Sequence, residues 1–295
     1  MCAGRGGPPR CVGHNAEVPY RPIFIVGCPR SGTTLLSTLL HAQPNIAMPP
    51  ETRFLLPVYE QREQFGDLTQ AANRRKVGEF ITARSTYFSD LRLDRGKVID
   101  AIVDAPPTLG SALGTVWSEF ARDRGAKRWG EKRPMYWREM GVILRLFPRA
   151  QVIHLVRDPR AAIASLQQVS WYKGGVPEAA ALWVQADKEL RRAGRRLGPC
   201  SYHRLRFEDL MGEPRARLSA LCEFLEEDFA EQMLDHVSAA RDIVPDRKTW
   251  HSRVKGPLDS SRINAWQKVL SPADAGPIHQ TRRRSAQADD PSPRR

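Results

Sequence analysis

The chain has 295 residues, with 46 Lys plus Arg against 33 Asp plus Glu, a formal charge of +13 and 41% hydrophobic residues. That length holds one α/β domain with a large core. No segment reaches the ~18 continuous apolar residues of a membrane span, and the first twenty residues lack a run of signal-peptide length, so the expectation is a soluble, cytoplasmic protein with no membrane span. The positive balance calls for an acidic partner, which a phosphorylated cofactor or an acidic substrate meets as well as nucleic acid does.

In chain order, residues 1–20 hold Gly, Pro, Arg and Cys and read as a disordered segment ahead of a domain over 21–271. Ile23 to Val26 is a short apolar run rich in β-branched residues, bounded by Pro22 and Gly27, as in a strand buried on both faces. Leu35, Leu36, Leu39 and Leu40 then recur at helical spacing. Between them lies Gly27-Cys28-Pro29-Arg30-Ser31-Gly32-Thr33-Thr34. Glycines at both ends let the backbone turn so that its N–H groups and the helix N-terminus face one spot, which then favours an anion. The spacing fits the nucleotide P-loop, G-x4-G-K-[ST], except that Thr33 takes the lysine position and Arg30 moves the cation inside the loop. Without that lysine, a less charged group than a triphosphate, such as a sulfuryl group, suits the loop and needs no metal. Cys28 reads as a small filler. The five cysteines (Cys2, Cys11, Cys28, Cys200, Cys222) are odd in number and lack metal-type spacing, which speaks against a disulfide framework or a zinc site.

Further on, Pro49 and Pro50 fix an extended approach to Glu51-Thr52-Arg53. Residues 74–124 read as helical, with stripes at Val77, Phe80, Ile81 and at Leu113, Val116, Trp117, Phe120. Arg128 to Pro134 is strand-like and ends in a basic cluster that includes Lys132. Gln151 to Val156 is a second buried strand with His154 as a core residue, followed by Arg157-Asp158-Pro159-Arg160 and a helix bearing Ser165. Asp158 invites comparison with a magnesium carboxylate, but arginine before it and proline after it suit an anion site better. Glu178 to Leu197 forms a helix with Ala181, Leu182, Ala186 and Leu190 inward and Lys188, Arg191, Arg192, Arg195 and Arg196 outward. Ser201 to Phe207 alternates as a strand before Glu208-Asp209-Leu210, and Cys222 falls in an apolar helical pattern. Trp250 to Leu270 is the last ordered part, and 272–295 reads as a disordered basic tail.

The glycine loop resembles the 5′-phosphosulfate loop of sulfotransferases that use PAPS (3′-phosphoadenosine 5′-phosphosulfate). Arg30 to Thr34 is similar to the form found in tyrosylprotein sulfotransferases and related bacterial enzymes, and the resemblance runs from Arg21 to Leu270. It implies an α/β, P-loop-type doubly wound parallel sheet with helices on both faces and the site at the strands' carboxyl ends. It also implies an enzyme that moves a sulfuryl group from PAPS to a hydroxyl or amine by in-line displacement, releasing PAP (3′-phosphoadenosine 5′-phosphate). In that pattern Arg30, Ser31, Gly32, Thr33 and Thr34 bind the phosphosulfate, and Arg157 and Ser165, eight residues apart, the 3′-phosphate. Glu51 is the base, Lys132 contacts the sulfuryl group and the bridging oxygen, and Arg53 orients the acceptor or screens the cofactor. Residues 74–124 would wall the acceptor pocket, Phe207 stands where the family has tyrosine, and Lys255 or Arg253 would close over the 3′-phosphate. The acceptor could be a small molecule, glycan, lipid or peptide, with neither nucleic acid nor metal required. Two alternatives stand beside this reading. A P-loop kinase or NTPase is disfavoured by Thr33, and a basic nucleic-acid-binding protein is motivated by charge alone.

Overall fold

The computed structural model describes residues 21–276 and Ile278. Residues 1–20 and almost all of the expected tail therefore lie outside the described residues. Five strands, β1 (Ile23–Val26), β2 (Ile46–Ala47), β3 (Arg128–Lys132), β4 (Gln151–Val156) and β5 (Tyr202–Arg206), form one sheet in the order β2-β3-β1-β4-β5. Every pairing is parallel, so each connection crosses over through helices. β1 and β4 are buried along their whole length, as continuous apolar runs at the centre of a parallel sheet should be.

Register sets the working edge. Ile25 of β1 is opposite Lys132 of β3 on one side and Ile153 of β4 on the other. The loop after Val26, Lys132 at the end of β3 and Arg157 just past β4 therefore emerge at the same end of the sheet, where such folds place their ligands. Gly27 is required by this close approach, because a Cβ on it would run into the Leu155 carbonyl oxygen.

An aromatic cluster fixes the helical half against the sheet. Phe24 packs edge-on to Trp117 and Trp129, and Trp117 stacks on Phe54 with ring centroids 5.3 Å apart. Burying each such ring stabilises the fold by about 1.5–3 kcal/mol. Phe54 directly follows Glu51-Thr52-Arg53, so the cluster also pins that tripeptide. The helices expected over 74–124 are present as Ala71–Thr82, Ser85–Ser89, Arg95–Asp104 and Leu109–Asp123.

Several expectations need correction. β2, only two residues long, is too short for any periodicity in the sequence to register it. Ala181 is exposed rather than inward, and Trp183 fills the core position instead. Cys200 is disulfide-bonded, because pairing depends on approach in space and sequence spacing does not report it. Cys28 and Cys222 are free and buried. Residues 272–276 are helical, and Ile278 is buried beside Ile163 and Leu166, an anchor that a Pro- and Arg-rich composition hides. His154 is a core residue as read, with Nδ1 2.7 Å from the Tyr202 hydroxyl and burial pushing the imidazole well below its usual pKa. No helix among the described residues is long and apolar enough to cross a membrane.

Candidate active site

The glycine loop is held in conformations that side chains rarely adopt: Arg30 has φ 70° and Gly32 φ 96°. At Gly32 no side chain is tolerated, since a Cβ would stand 2.5 Å from Phe207 Cδ2. The helix Thr33–His41 begins there without a side-chain cap, which leaves its first N–H groups for a ligand. Ser31 Oγ is buried and has no hydrogen-bond partner among the described residues. Uncapped amides and an orphaned hydroxyl within one turn are what an oxyanion would satisfy.

Beside the loop, Arg157 and Ser165 do converge, and Arg30 joins them. Arg30 Nε donates to Ser165 Oγ at 3.1 Å and its terminal nitrogen to the Trp250 carbonyl at 3.2 Å. Arg157 donates to the Arg30 carbonyl at 3.1 Å and to that of Arg262 at 2.8 Å. Its guanidinium lies over the Phe207 ring, 4.4 Å from the centroid. Burial, reinforced by Arg262 and Arg30, draws the Arg157 pKa down to about 10 against the pull of Glu208. Arg30 thus sits with the pair expected at the 3′-phosphate as well as within the glycine loop. Phe207, without the family hydroxyl, supplies a flat support for Arg157 and a stop for Gly32. Asp158 is committed elsewhere: it accepts from the Arg160 N–H at 2.9 Å as the cap of the helix Pro159–Gln167 and pairs with the Arg160 guanidinium at 2.7 Å.

Glu51 and Lys132 meet across the cleft. The Glu51 carboxylate accepts from Lys132 Nζ at 3.2 Å and from Arg53 Nε at 2.6 Å. Arg53 folds back in this way because its backbone is left-handed, at φ 55°, and Tyr87 lies beyond it. Burial alone would raise the Glu51 carboxyl, but Lys132, Arg53 and Lys248 outweigh it and hold the group well below the usual carboxylate range. One residue back on β3, Glu131 accepts from the Thr52 hydroxyl at 3.1 Å and the Tyr136 hydroxyl at 3.3 Å. Consecutive residues of β3 therefore grip consecutive residues of the Glu-Thr-Arg tripeptide. Burial and then the Glu51 charge raise the Glu131 carboxyl to about 7.

These groups open onto one cleft of about 1370 Å³, lined among others by Arg30, Glu51, Lys132, Arg157, Ser165 and Arg253. Arg253 faces the cleft, whereas Lys255 pairs with Asp246 and is not among the lining residues. The expectation that residues 74–124 wall the pocket is corrected: among the described residues none of them lines the cleft, whose walls beyond the loop come from 133–138, 171–185, 207–211 and 236–262. Of the helices over 74–124, Leu109–Asp123 instead gives Trp117 to the aromatic cluster. Arg262 and Lys248 were missed, lying in or beside 3-10 helices too short to show a periodicity. Burial and the neighbouring Lys132 lower the Lys248 ammonium to about 8. Glu131 lay inside the segment already read for Lys132, and only its total burial distinguishes it.

The sulfotransferase family profile matches residues 22–231. Nodulation protein NoeE of Sinorhizobium fredii is 32% identical over 154 residues, covering 52% of this chain and 32% of NoeE. Protein-tyrosine sulfotransferase A of Caenorhabditis elegans is 24% identical over 234 residues, covering 76% of this chain and 54% of that protein. The chain thus spans about a third to a half of the length of these relatives. Among solved structures, the sulfotransferase domain of a Synechococcus olefin synthase superposes with a TM-score of 0.63 at 23% identity, over 95% of this chain and 98% of that one. A mouse sulfotransferase complexed with PAP gives 0.51 at 12% identity over 92% and 86%. These are likenesses of fold; the family profile, together with the lysine-free loop, sets the phosphoryl-transfer reading aside. With the profile running from β1 past β5, the chain belongs to the sulfotransferase family.

Proposed function

We propose that this chain transfers a sulfuryl group from PAPS to a hydroxyl or amine acceptor by in-line displacement. The observation that carries this is the convergence at one sheet edge of an uncapped, lysine-free anion loop with the Arg30–Ser165–Arg157 cluster and the Glu51–Lys132 pair. PAPS supplies the activated sulfuryl group. The amides of Ser31, Gly32, Thr33 and Thr34, with the Ser31, Thr33 and Thr34 hydroxyls, would hold its phosphosulfate, and Arg157, Ser165 and Arg30 its 3′-phosphate, to which guanidinium geometry is matched. Arg253 completes that end from the segment after Trp250.

Lys132 supports the charge that grows on the leaving oxygen, an effect worth most inside a dry cleft. The same engagement draws its ammonium away from Glu51 and restores basicity to a carboxylate otherwise held below its usual range. Glu51 then takes the acceptor's proton. Arg53, half in solvent, keeps the carboxylate aimed. The acceptor is a small-molecule, glycan, lipid or peptide hydroxyl, not nucleic acid. Cytoplasmic placement belongs to the same proposal: two of the described cysteines are free thiols, and the disulfide at Cys200 makes cell fractionation its test. For the reaction, the test is incubation with 35S-labelled PAPS and an acceptor panel spanning those classes. Label should pass to an acceptor in the parent protein and not in Lys132→Ala; transfer undiminished in Lys132→Ala would refute the assignment.

A further inference from the structure

The helix Val176–Leu197 buries Ala179, Trp183, Ala186 and Leu190 on one side. At 3.6 residues per turn, Ala181, Gln185, Lys188, Arg192, Arg195 and Arg196 share one stripe on the opposite side, about 100° wide. All six are exposed. The stripe has two parts. Ala181 and Gln185 line the cleft, and the four cations continue the same face for about 12 Å beyond it.

None of the four cations makes an ion pair among the described residues; the helix's one internal pair, Arg191 with Asp187, lies off the stripe. Trp171, 47% exposed, lines the same cleft as Ala181 and Gln185, and Val184, 42% exposed, borders the stripe. An uncompensated cationic row, an exposed indole and an exposed valine therefore share the side of the molecule on which the cleft opens.

We infer that this face docks on an anionic membrane surface and that the acceptor hydroxyl is carried by a lipid. The inference rests on the sulfotransferase reading for the chemistry, but the docking stands on the surface itself. The outer side of a helix is convex and offers no groove to seat a folded partner, whereas a lipid surface meets a convex cationic face without shape complementarity. Lys and Arg near anionic headgroups attract additively, and an indole settles at the interface between headgroup and chain. Trp171, Tyr172, Leu182 and Met211 give the cleft apolar walls suited to the stem of a lipid.

The test is co-sedimentation with phosphatidylcholine vesicles containing 30% phosphatidylglycerol, against phosphatidylcholine alone, at low and high salt. The parent should sediment with the anionic vesicles only, and 300 mM salt should release it. Each charge contributes roughly a fivefold change in partitioning, so K188Q/R192Q/R195Q/R196Q should bind several hundredfold more weakly. Trp171→Ala should weaken binding with the charge unchanged. The quadruple variant should keep the parent's thermal stabilisation by PAP, which shows it folded and the cleft intact. Equal binding of parent and quadruple variant, no preference for anionic vesicles, or capture by a polyglutamate chain but not by vesicles would each overturn the proposal. Loss of the PAP response in the parent, with vesicle binding retained, would instead refute the sulfotransferase reading and leave the docking face standing.

Discussion

Replacing Glu51 by glutamine removes the negative member of a pair whose side chains are only 9% and 6% exposed. Breaking a buried ion pair from one side costs about 3–5 kcal/mol, since the other charge is left uncompensated. The half-exposed Arg53 adds no more than about 1 kcal/mol, and the amide oxygen still accepts one hydrogen bond, so the expected loss is about 3 kcal/mol. For a domain of this size that lowers Tm by roughly 6–12 °C. The pH dependence has a definite sign. A carboxyl held below its ordinary 4.5 in the fold contributes stability that is complete above that value and fades as pH falls below it. Urea unfolding followed by circular dichroism should show the gap between parent and Glu51→Gln narrowing as pH falls below about 4.5. Adding Lys132→Met to Glu51→Gln should recover part of the loss, because the stranded ammonium goes with it. Turnover should drop by about 10²–10⁴ in the single variant. An unchanged stability at pH 7, or a gap that widens in acid, would refute this account of the pair.

Arg157→Ala should weaken PAP by roughly tenfold to 150-fold more than it weakens adenosine 5′-phosphate, the loss of a charged hydrogen-bond partner, as read by calorimetry; equal losses would make Arg157 only a brace for the Arg30 and Arg262 carbonyls. Gly32→Ala places a side chain at φ 96° and against Phe207, so Tm should fall by an amount matching at least about 1–2 kcal/mol and PAP binding should weaken. A parent-like Tm would contradict that loop geometry. Arg253→Ala should weaken PAP while Lys255→Ala leaves it unchanged, since the Lys255 ammonium is engaged by Asp246; the reverse order would reassign the closing cation.

The loop, the two central strands and the Arg157–Ser165 spacing were legible because each is local: β-branched runs, glycines at fixed offsets and a helical turn leave their mark on neighbouring letters. Glu51 and Lys132 were named through family resemblance, and their pairing, 81 positions apart, is a product of the β2–β3 register. What stayed hidden is long-range. Arg30 reaching Ser165, Phe207 lying under Arg157 and Lys248 beside Lys132 depend on which loops meet at the sheet edge. The pocket wall was misplaced for the same reason. The helices of 71–123 carry strong apolar stripes, but a stripe says only that a face is covered, not by what.

The central claim, a metal-independent PAPS site in a lysine-free loop, is tested most directly by thermal unfolding with PAP alone against ATP plus magnesium. At a hundred times its dissociation constant, a ligand specific to the native state contributes about 2.7 kcal/mol, or roughly 5–10 °C here. The account predicts that shift with PAP in the presence of a chelator and a smaller one with magnesium-ATP. A larger shift with magnesium-ATP, or none with PAP, would contradict it.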